Sequence, residues 1–366
     1  MVSKGRQRPS LASIASALGV SRTTVSNAYN HPEQLSRKLR EEILATAERM
    51  GYPGPDPTAR SLRTKFVGSV GVLFTDRLTY AFEDRASVDF LAGMASASTD
   101  NQTSLTLVPV SPESASDPIS ARQIVNSAVV DGFVVYSVAA GDPHLEAALT
   151  RGLPVVVCDQ PTNEPRTPFV GINDLTAISP AAQALVEAGH TKIGILCIRL
   201  DPTPNNGPVT AKRLEKAKHH VQRARVQGAL EVFAAAGIHP KGVPVVERYI
   251  NDRENNYAAA KELLETHPEL TAVLCTTDTM ALGVLEYAND HGISVPDQLS
   301  VTGFDGIAPA LAKGLSTVIQ PNRLKGERAA ALLHSLIGEP TPEKRTVEIL
   351  ETTFHRGSSV APPREP

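Results

Sequence analysis

GVSRTTVSNAYN, residues 19–30, is the stretch on which the fold turns. It holds few strong helix formers, yet wound as a helix from Ser21 as N-cap it sorts into two sides. Thr24, Val25, Ala28 and Tyr29 gather on one side, and Arg22, Thr23, Ser26, Asn27 and Asn30 on the other. Val20 and Val25 have the spacing of a hydrophobic staple, which fixes how the chain enters the helix. The pattern predicts a helix docked by one face. Its free face offers short hydrogen-bonding groups and one arginine in place of the Glu and Lys that solubilise ordinary surface helices, and such a face suits base edges and phosphates.

Working outward, Ser10 can cap a first helix, LASIASALG, with Leu11, Ile14, Ala15 and Leu18 at helical spacing and Gly19 ending it. Two helices joined by so short a turn make a helix-turn-helix. A third helix is signalled by Ser36 after Pro32, with Leu39, Ile43, Ala47 and Met50 as its buried stripe and Gly51 closing it. Next comes YPGPDPTARSLRTKF, residues 52–66, whose prolines read by composition as a flexible linker. Leu62, a lone apolar group with Arg60 and Arg63 on either side, also has the makings of a minor-groove wedge.

The whole chain has 366 residues, enough for two or three compact units. Its formal net charge of -3 hides an asymmetry. Residues 1–66 carry eleven Lys and Arg against five Asp and Glu, a balance of +6, so the remainder stands at -9. A basic head on an acidic body is the footprint of a polyanion-binding module joined to something that is not one. Cys158, Cys197 and Cys275 lie far apart in apolar runs, which points to buried free thiols in a reducing cytoplasm rather than to disulfides or a metal cluster. MVSKGRQRPS leads into no apolar signal segment, and no run approaches the roughly eighteen apolar residues of a membrane span. The expectation is a soluble cytoplasmic protein, associated with the nucleoid, with no membrane partner.

From Val67 on, apolar runs of strand length (VGSVGVLF, SLTLVPV, DGFVVYSV, LPVVVCD, TPFVGIND, KIGILCI, TAVLCTTD and LSVTGFD) alternate with amphipathic stretches. The latter fall at 85–99, 118–128, 176–188, 221–236, 255–266, 279–291 and 322–337. Uninterrupted Val, Ile and Leu mark strands buried on both faces, hence parallel sheets covered by helices. So many βα units imply two doubly wound domains, with a ligand site in the cleft between them, beyond the strands' carboxyl ends. Asp278 and Asp305 each end such a strand.

LASIASALGVSRTTVSNAYN, the Gly51-Tyr52 pair and ARSLR resemble the headpiece and hinge of the LacI/GalR family of bacterial transcription repressors. VDGFVVYS, VGINDLTA, TDTMALGVL, PDQLSVTGFDG and STVIQP extend the resemblance through the body. It implies an N-terminal three-helix domain (1–52), a hinge (53–66) and a two-lobed periplasmic-binding-protein-like core (67–358), α/β throughout the core. Lobe 1 would take residues 67–172 and 322–345, and lobe 2 residues 173–321 and 346–358, the chain crossing near Asn173, near Gln320 and in the tail. The resemblance also implies site residues. Asp305 in TGFD matches an aspartate that accepts ligand hydroxyls or amines, and Arg225 in RVQG matches an arginine aimed into the cleft. Asp159, Asp76, Tyr80 and Phe82 stand where the other lobe contacts effector, and Asp278 is a further candidate. On DNA, Arg22, Thr23, Ser26 and Asn27 would face bases or phosphates, Ser10, Ser21, Asn30 and Ser36 would place backbone contacts, and the hinge around Ala59 to Leu62 would fold on the operator.

Three features depart from the family pattern. Asn27 stands where arginine is frequent, and an amide prefers adenine to guanine. The stretch from Tyr52 to Leu62 is one residue longer. Residues 199–228 are also long, with six Lys or Arg and one Glu from Ala211 on, which reads as a solvated basic helix or as a lid for an anionic effector. An enzyme is the competing class, but the chain has no phosphate-binding, nucleophile-elbow or zinc motif. The expectation is therefore a repressor without catalytic activity, cofactor or metal, bound to double-stranded operator DNA under control of a small-molecule effector: a sugar, a nucleoside or a phosphorylated metabolite. It would act as a homodimer, since one helix reads half a palindrome, with a tetramer left open.

Overall fold

Three serines frame the N-terminal unit. Ser10, Ser21 and Ser36 each accept a hydrogen bond from the backbone N–H three residues on, at 3.3, 3.0 and 3.3 Å. They cap α1 (Leu11–Leu18), α2 (Arg22–Asn30) and α3 (Arg37–Met50). Gly19 and Gly51 end α1 and α3 in the left-handed conformation. Ile14, Ala15, Val25, Ala28, Ile43 and Ala47 form a small core, with Leu11, Leu18, Val20 and Leu39 packed against it. The computed structural model describes residues 9–54, 65–74, 78–108, 110, 117–339 and 344–364, with the backbone alone at 78–80. The chain divides into two compact units, Met1–Gly68 and Ser69–Pro366.

The second unit contains two sheets. In the first, β1 (Ser69–Phe74), β2 (Ser104–Val108), β3 (Phe133–Tyr136), β4 (Val155–Cys158) and β5 (Phe169–Gly171) are parallel, with helices α4 (Leu78–Glu83), α5 (Arg85–Asp100), α6 (Pro118–Ser127) and α7 (Pro143–Thr150) between them. After α8 (Asp174–Ala177) and α9 (Ser179–Glu187) the chain enters the second sheet. There β6 (Ile193–Ile198), β7 (Gly207–Pro208) and the helices α10 (Ala211–Lys216) and α11 (His220–Ala235) come first. They are followed by β8 (Val245–Arg248), α12 (Arg253–Thr266), β9 (Ala272–Cys275), α13 (Asp278–Asp290), β10 (Ser300–Asp305), α14 (Ala308–Ala312) and β11 (Ser316–Ile319). α15 (Asn322–Leu336) returns to the first lobe, then β12 (Val347–Ile349) joins the first sheet and β13 (Thr353–His355) the second. The strand orders are β12-β5-β4-β3-β1-β2 and β13-β11-β10-β9-β6-β8-β7, with β7 and β13 as antiparallel edges. Doubly wound parallel sheets are what the uninterrupted Val, Ile and Leu runs require, and strands such as β1, β3, β4 and β9 are buried along their whole length.

The expected lobe boundary at 345/346 falls too early. Val347–Ile349 pair in parallel with Phe169–Gly171, so they belong to the first lobe, and the last crossing lies at residues 350–352. Residues 199–228 are also not one solvated helix. They fold into β7, α10 and the start of α11, and His219, His220, Gln222 and Arg225 are buried. The basic residues face outward only in part, because α11 packs on α8. Gly228 makes that close packing possible, since a Cβ there would overlap the Leu175 carbonyl. Gly228→Ala should force α11 away from α8 at a cost of about 1–3 kcal/mol, seen as a lower urea midpoint at unchanged slope. Among the described residues no helix is long and apolar enough to cross a membrane.

Candidate functional site

In the N-terminal unit, α2 buries Val25 and Ala28 and leaves Arg22 and Thr23 exposed, with Ser26, Asn27 and Asn30 half-buried. Asn27 is not loose. Its Nδ2 donates to Gln34 Oε1 at 2.8 Å, which orients the carboxamide before any partner arrives. Asn30 turns back on its own helix, its Nδ2 donating to the Ser26 carbonyl at 3.0 Å and meeting Ser26 Oγ at 3.2 Å. The Ser10, Ser21 and Ser36 hydroxyls accept capping bonds, so they serve the helix ends first. Ala59 and Leu62 lie outside the described residues.

In the core unit a cavity of about 120 Å³ opens between the carboxyl ends of the two sheets. That is the order of a cavity that holds one benzene-sized ring, roughly 150 Å³. Each lobe presents a carboxylate to it from the end of a parallel strand: Asp159 just after β4, and Asp305 closing β10. Both have positive φ, 67° and 125°, a conformation that costs a non-glycine residue about 1–3 kcal/mol and gathers at functional sites. Phe74 and Tyr136 supply an apolar wall, with Tyr136 stacked on Phe90 at a centroid distance of 4.0 Å.

A continuous polar chain crosses the floor. Lys325 Nζ lies 2.7 Å from Asp159 Oδ1 and donates to Gln320 Oε1 at 2.5 Å. Gln320 Nε2 in turn donates to Asp305 Oδ1 at 2.5 Å. Arg225 Nη1 sits 3.5 Å from Asp305, while its Nε donates to Asp174 Oδ1 at 2.8 Å and Nη1 to the Thr276 carbonyl at 2.9 Å. The guanidinium lies 3.7 Å from the Phe304 ring centroid. Burial opposes the Arg225 charge, but Asp174 and then Asp305 outweigh it and hold its pKa above the usual value. Burial pushes the Asp305 carboxyl well up, against the pull of Arg225 and with Asp278 pushing the same way. Arg225 and Lys325 are each matched to carboxylates, so the floor carries its charges in pairs.

The structure thus brings Asp159, Arg225 and Asp305 together and sets others apart. Asp278 is a correction: it does not line the cleft. Its Oδ1 accepts from Thr317 Oγ1 at 2.6 Å and its Oδ2 from the Ile307 N–H at 2.9 Å, so the carboxylate clamps the loop after β10 to β11. Burial, resisted by those hydrogen bonds, raises its pKa. Phe82 is exposed and also absent from the cleft wall. Asp76 lies outside the described residues, as does the Tyr80 side chain.

The comparisons with known proteins agree with both halves. Residues 10–54 match the model for bacterial regulatory proteins of the lacI family, and residues 182–360 the periplasmic binding protein-like domain. The HTH-type transcriptional regulator IpsA of Corynebacterium glutamicum is 61% identical over 357 residues, 98% of this chain and 99% of that one. The chain belongs to the LacI family. A crystal structure of a LacI-family transcriptional regulator from Corynebacterium glutamicum, 57% identical, gives a TM-score of 0.76 with 97% of this chain and 100% of that one covered. The Lac repressor dimer, crystallised with operator and the anti-inducer ONPF, shares the fold at 20% identity, with a TM-score of 0.78 and coverage of 97% and 100%. The LacI family is one of DNA-binding transcriptional regulators. Within this LacI-family chain, sequence reasoning missed Gln160, Asp174, His219, Gln320 and Lys325. Gln320 ends the STVIQ strand and Asp174 follows Asn173, so both crossings carried a signal; Lys325 and His219 sat among charged residues that read as solvent-facing.

Proposed function

We propose that this LacI-family regulator is a homodimeric repressor of the cytoplasm whose grip on operator DNA is set by a neutral, hydroxyl-bearing small molecule of single-ring size in the cleft. The observation that carries the ligand class is the pairing of charges. Arg225 is matched by Asp174 and Asp305, and Lys325 by Asp159, so a phosphate would compete with carboxylates already in place, whereas hydroxyls can join the Asp159 and Asp305 oxygens. The reading of residues 199–228 as a lid for an anionic effector is weakened by the same geometry: Arg213 Nε donates to buried Glu247 Oε2 at 2.5 Å, and Arg225 points to Asp174. Effector control fits the solved Lac repressor, which holds operator and an anti-inducer in one complex.

A thermal-shift screen of neutral polyols, nucleosides and phosphorylated sugars tests this, since a ligand bound only by the folded state raises its melting temperature. Neutral polyols should give the largest shifts, and the same compounds should change affinity for the operator. A shift confined to phosphorylated compounds, or ligands that stabilise the core while leaving operator binding untouched, would overturn the proposal.

On the DNA side we assign Arg22, Thr23, Ser26 and Asn27 to base and phosphate contacts. Asn27→Arg should shift preference at one half-site position from adenine toward guanine by about 1–3 kcal/mol, read by competition between the two duplexes. An unchanged preference would place Asn27 off the base edges.

A further inference from the structure

The two lobes are also fastened to each other at one mouth of the cleft, by groups that the polar floor does not include. The turn between α10 and α11 reaches across to the first lobe. The Ala140 N–H donates to the Lys218 carbonyl at 2.9 Å. The Val221 N–H donates to Gln160 Oε1 at 2.9 Å, which fixes the carboxamide: Nε2 must then be the donor toward His219 Nδ1 and Ser137 Oγ, both at 3.1 Å. Thr162 meets His220 Nδ1 twice, through its backbone N–H at 3.3 Å and its hydroxyl at 3.1 Å. A backbone N–H can only donate, so His220 Nδ1 holds a lone pair. His219 Nδ1, facing an amide NH₂, does too. Both rings are therefore neutral with the proton on Nε2, and a proton on either Nδ1 would set donor against donor.

We propose that residues 217–221 form a proton-sensitive clasp that closes one mouth of the cleft onto Gln160 and Thr162, holding the lobes together before any effector binds. Gln160 and His219 line the cleft, whereas Thr162 and His220 stand behind it, so the latter pair act as positioning residues. The clasp stands whether or not the cleft takes a ligand; its role in ligand exchange rests on the proposed function.

The charged surroundings set the sign. His219 faces Arg199, Asp201 and His220 of its own lobe, with Lys218 beside it in sequence, and His220 faces Arg223. From the first lobe come the neutral Gln160 and Thr162, with Arg345 donating to the Thr162 carbonyl. Burial, helped by Arg199 and opposed by Asp201, holds His219 down to about 3. Burial and then Arg223 lower His220 as well. Histidines whose pKa falls on closure leave the clasp at full strength above the ordinary value of about 6.5. Closure weakens as pH drops below that, by up to about tenfold per unit for each ring.

Hydrogen exchange at the Ala140 and Val221 amides of the ligand-free full chain, corrected for intrinsic rates, tests the clasp. Both amides should be protected at pH 7.5 and at least about tenfold less so at pH 5.5. Gln160→Ala should expose Ala140, which Gln160 does not touch, along with Val221. Replacing both rings (His219→Gln, His220→Gln) supplies acceptors that do not titrate, and should abolish the pH response. Unprotected amides at pH 7.5, no change on acidification, or a pH response that survives the double replacement would overturn the clasp; the wild-type arms need no variant to fold. A normal exchange pattern in a chain that no polyol stabilises would keep the clasp and sink the effector site, and the converse pair of results would do the reverse.

Discussion

Arg225→Ala is expected to lower the unfolding free energy of the core unit by about 3–5 kcal/mol and to abolish the effector response, while the N-terminal unit keeps its own helices and core. The guanidinium is 4% exposed and answers to Asp174, Asp305, the Thr276 carbonyl and the Phe304 ring together. Its removal strands two buried carboxyls. Burial already raises the pKa of both Asp174 and Asp305, against the pull of Arg225, so its loss drives them further up. A carboxyl whose folded pKa lies above its unfolded value favours the fold fully below the unfolded value, and loses that contribution as pH rises through the folded one. The variant's deficit, measured by urea unfolding against the parent, should therefore be larger at pH 7.5 than at pH 5. A deficit below about 1 kcal/mol, the range of surface ion pairs, or one indifferent to pH, would mean that the guanidinium is solvated and the cleft floor wrongly described.

The second large effect concerns the other lobe. Lys325→Met should cost about 3–5 kcal/mol, because it leaves the Asp159 carboxylate, 8% exposed and held at positive φ, without its cation. Lys325 itself is fully buried at the first turn of α15, and methionine keeps most of its packing, so the loss isolates the charge. Asp159→Asn on that background should restore much of the stability. A double-mutant cycle is then expected to give a coupling of about 0.5–3 kcal/mol. A double variant no more stable than Lys325→Met would assign the cost to shape rather than to charge.

How much of this was legible depended on whether the controlling contact was local. The docked face of α2 showed in twelve residues because a helix writes its own period into the chain, and α1 and α3 announced themselves through Ser10, Ser36, Gly19 and Gly51. The buried strands β1, β3, β4, β6, β9 and β10 showed as apolar runs. The strands β8 (VVER), β12 (VEI) and β13 (TFH) are short and mixed with charge, and their pairing partners lie far off in sequence. The same limit hid Lys325 and His219. Each sits in a stretch such as NRLKGER or EKAKHHVQR that reads as a wetted face, and only the approach of Asp159 from the neighbouring sheet of the same lobe, or of Gln160 from the other lobe, buries it. Asp278 was read as the end of a strand, but β9 stops at Cys275 and Asp278 opens α13, where its carboxylate aims inward at Thr317 rather than outward at a ligand.

The tail that contributes β12 to one sheet and β13 to the other has a bearing on how the molecule is made. During synthesis the N-terminal helices are complete once residue 54 has cleared the ribosome, hundreds of residues before either sheet receives its last edge. A frameshift just past Arg345 would strip a strand from both lobes at once and leave the three helices whole. Truncated products of this gene would thus keep the part that finds DNA and forfeit the part that listens to metabolism.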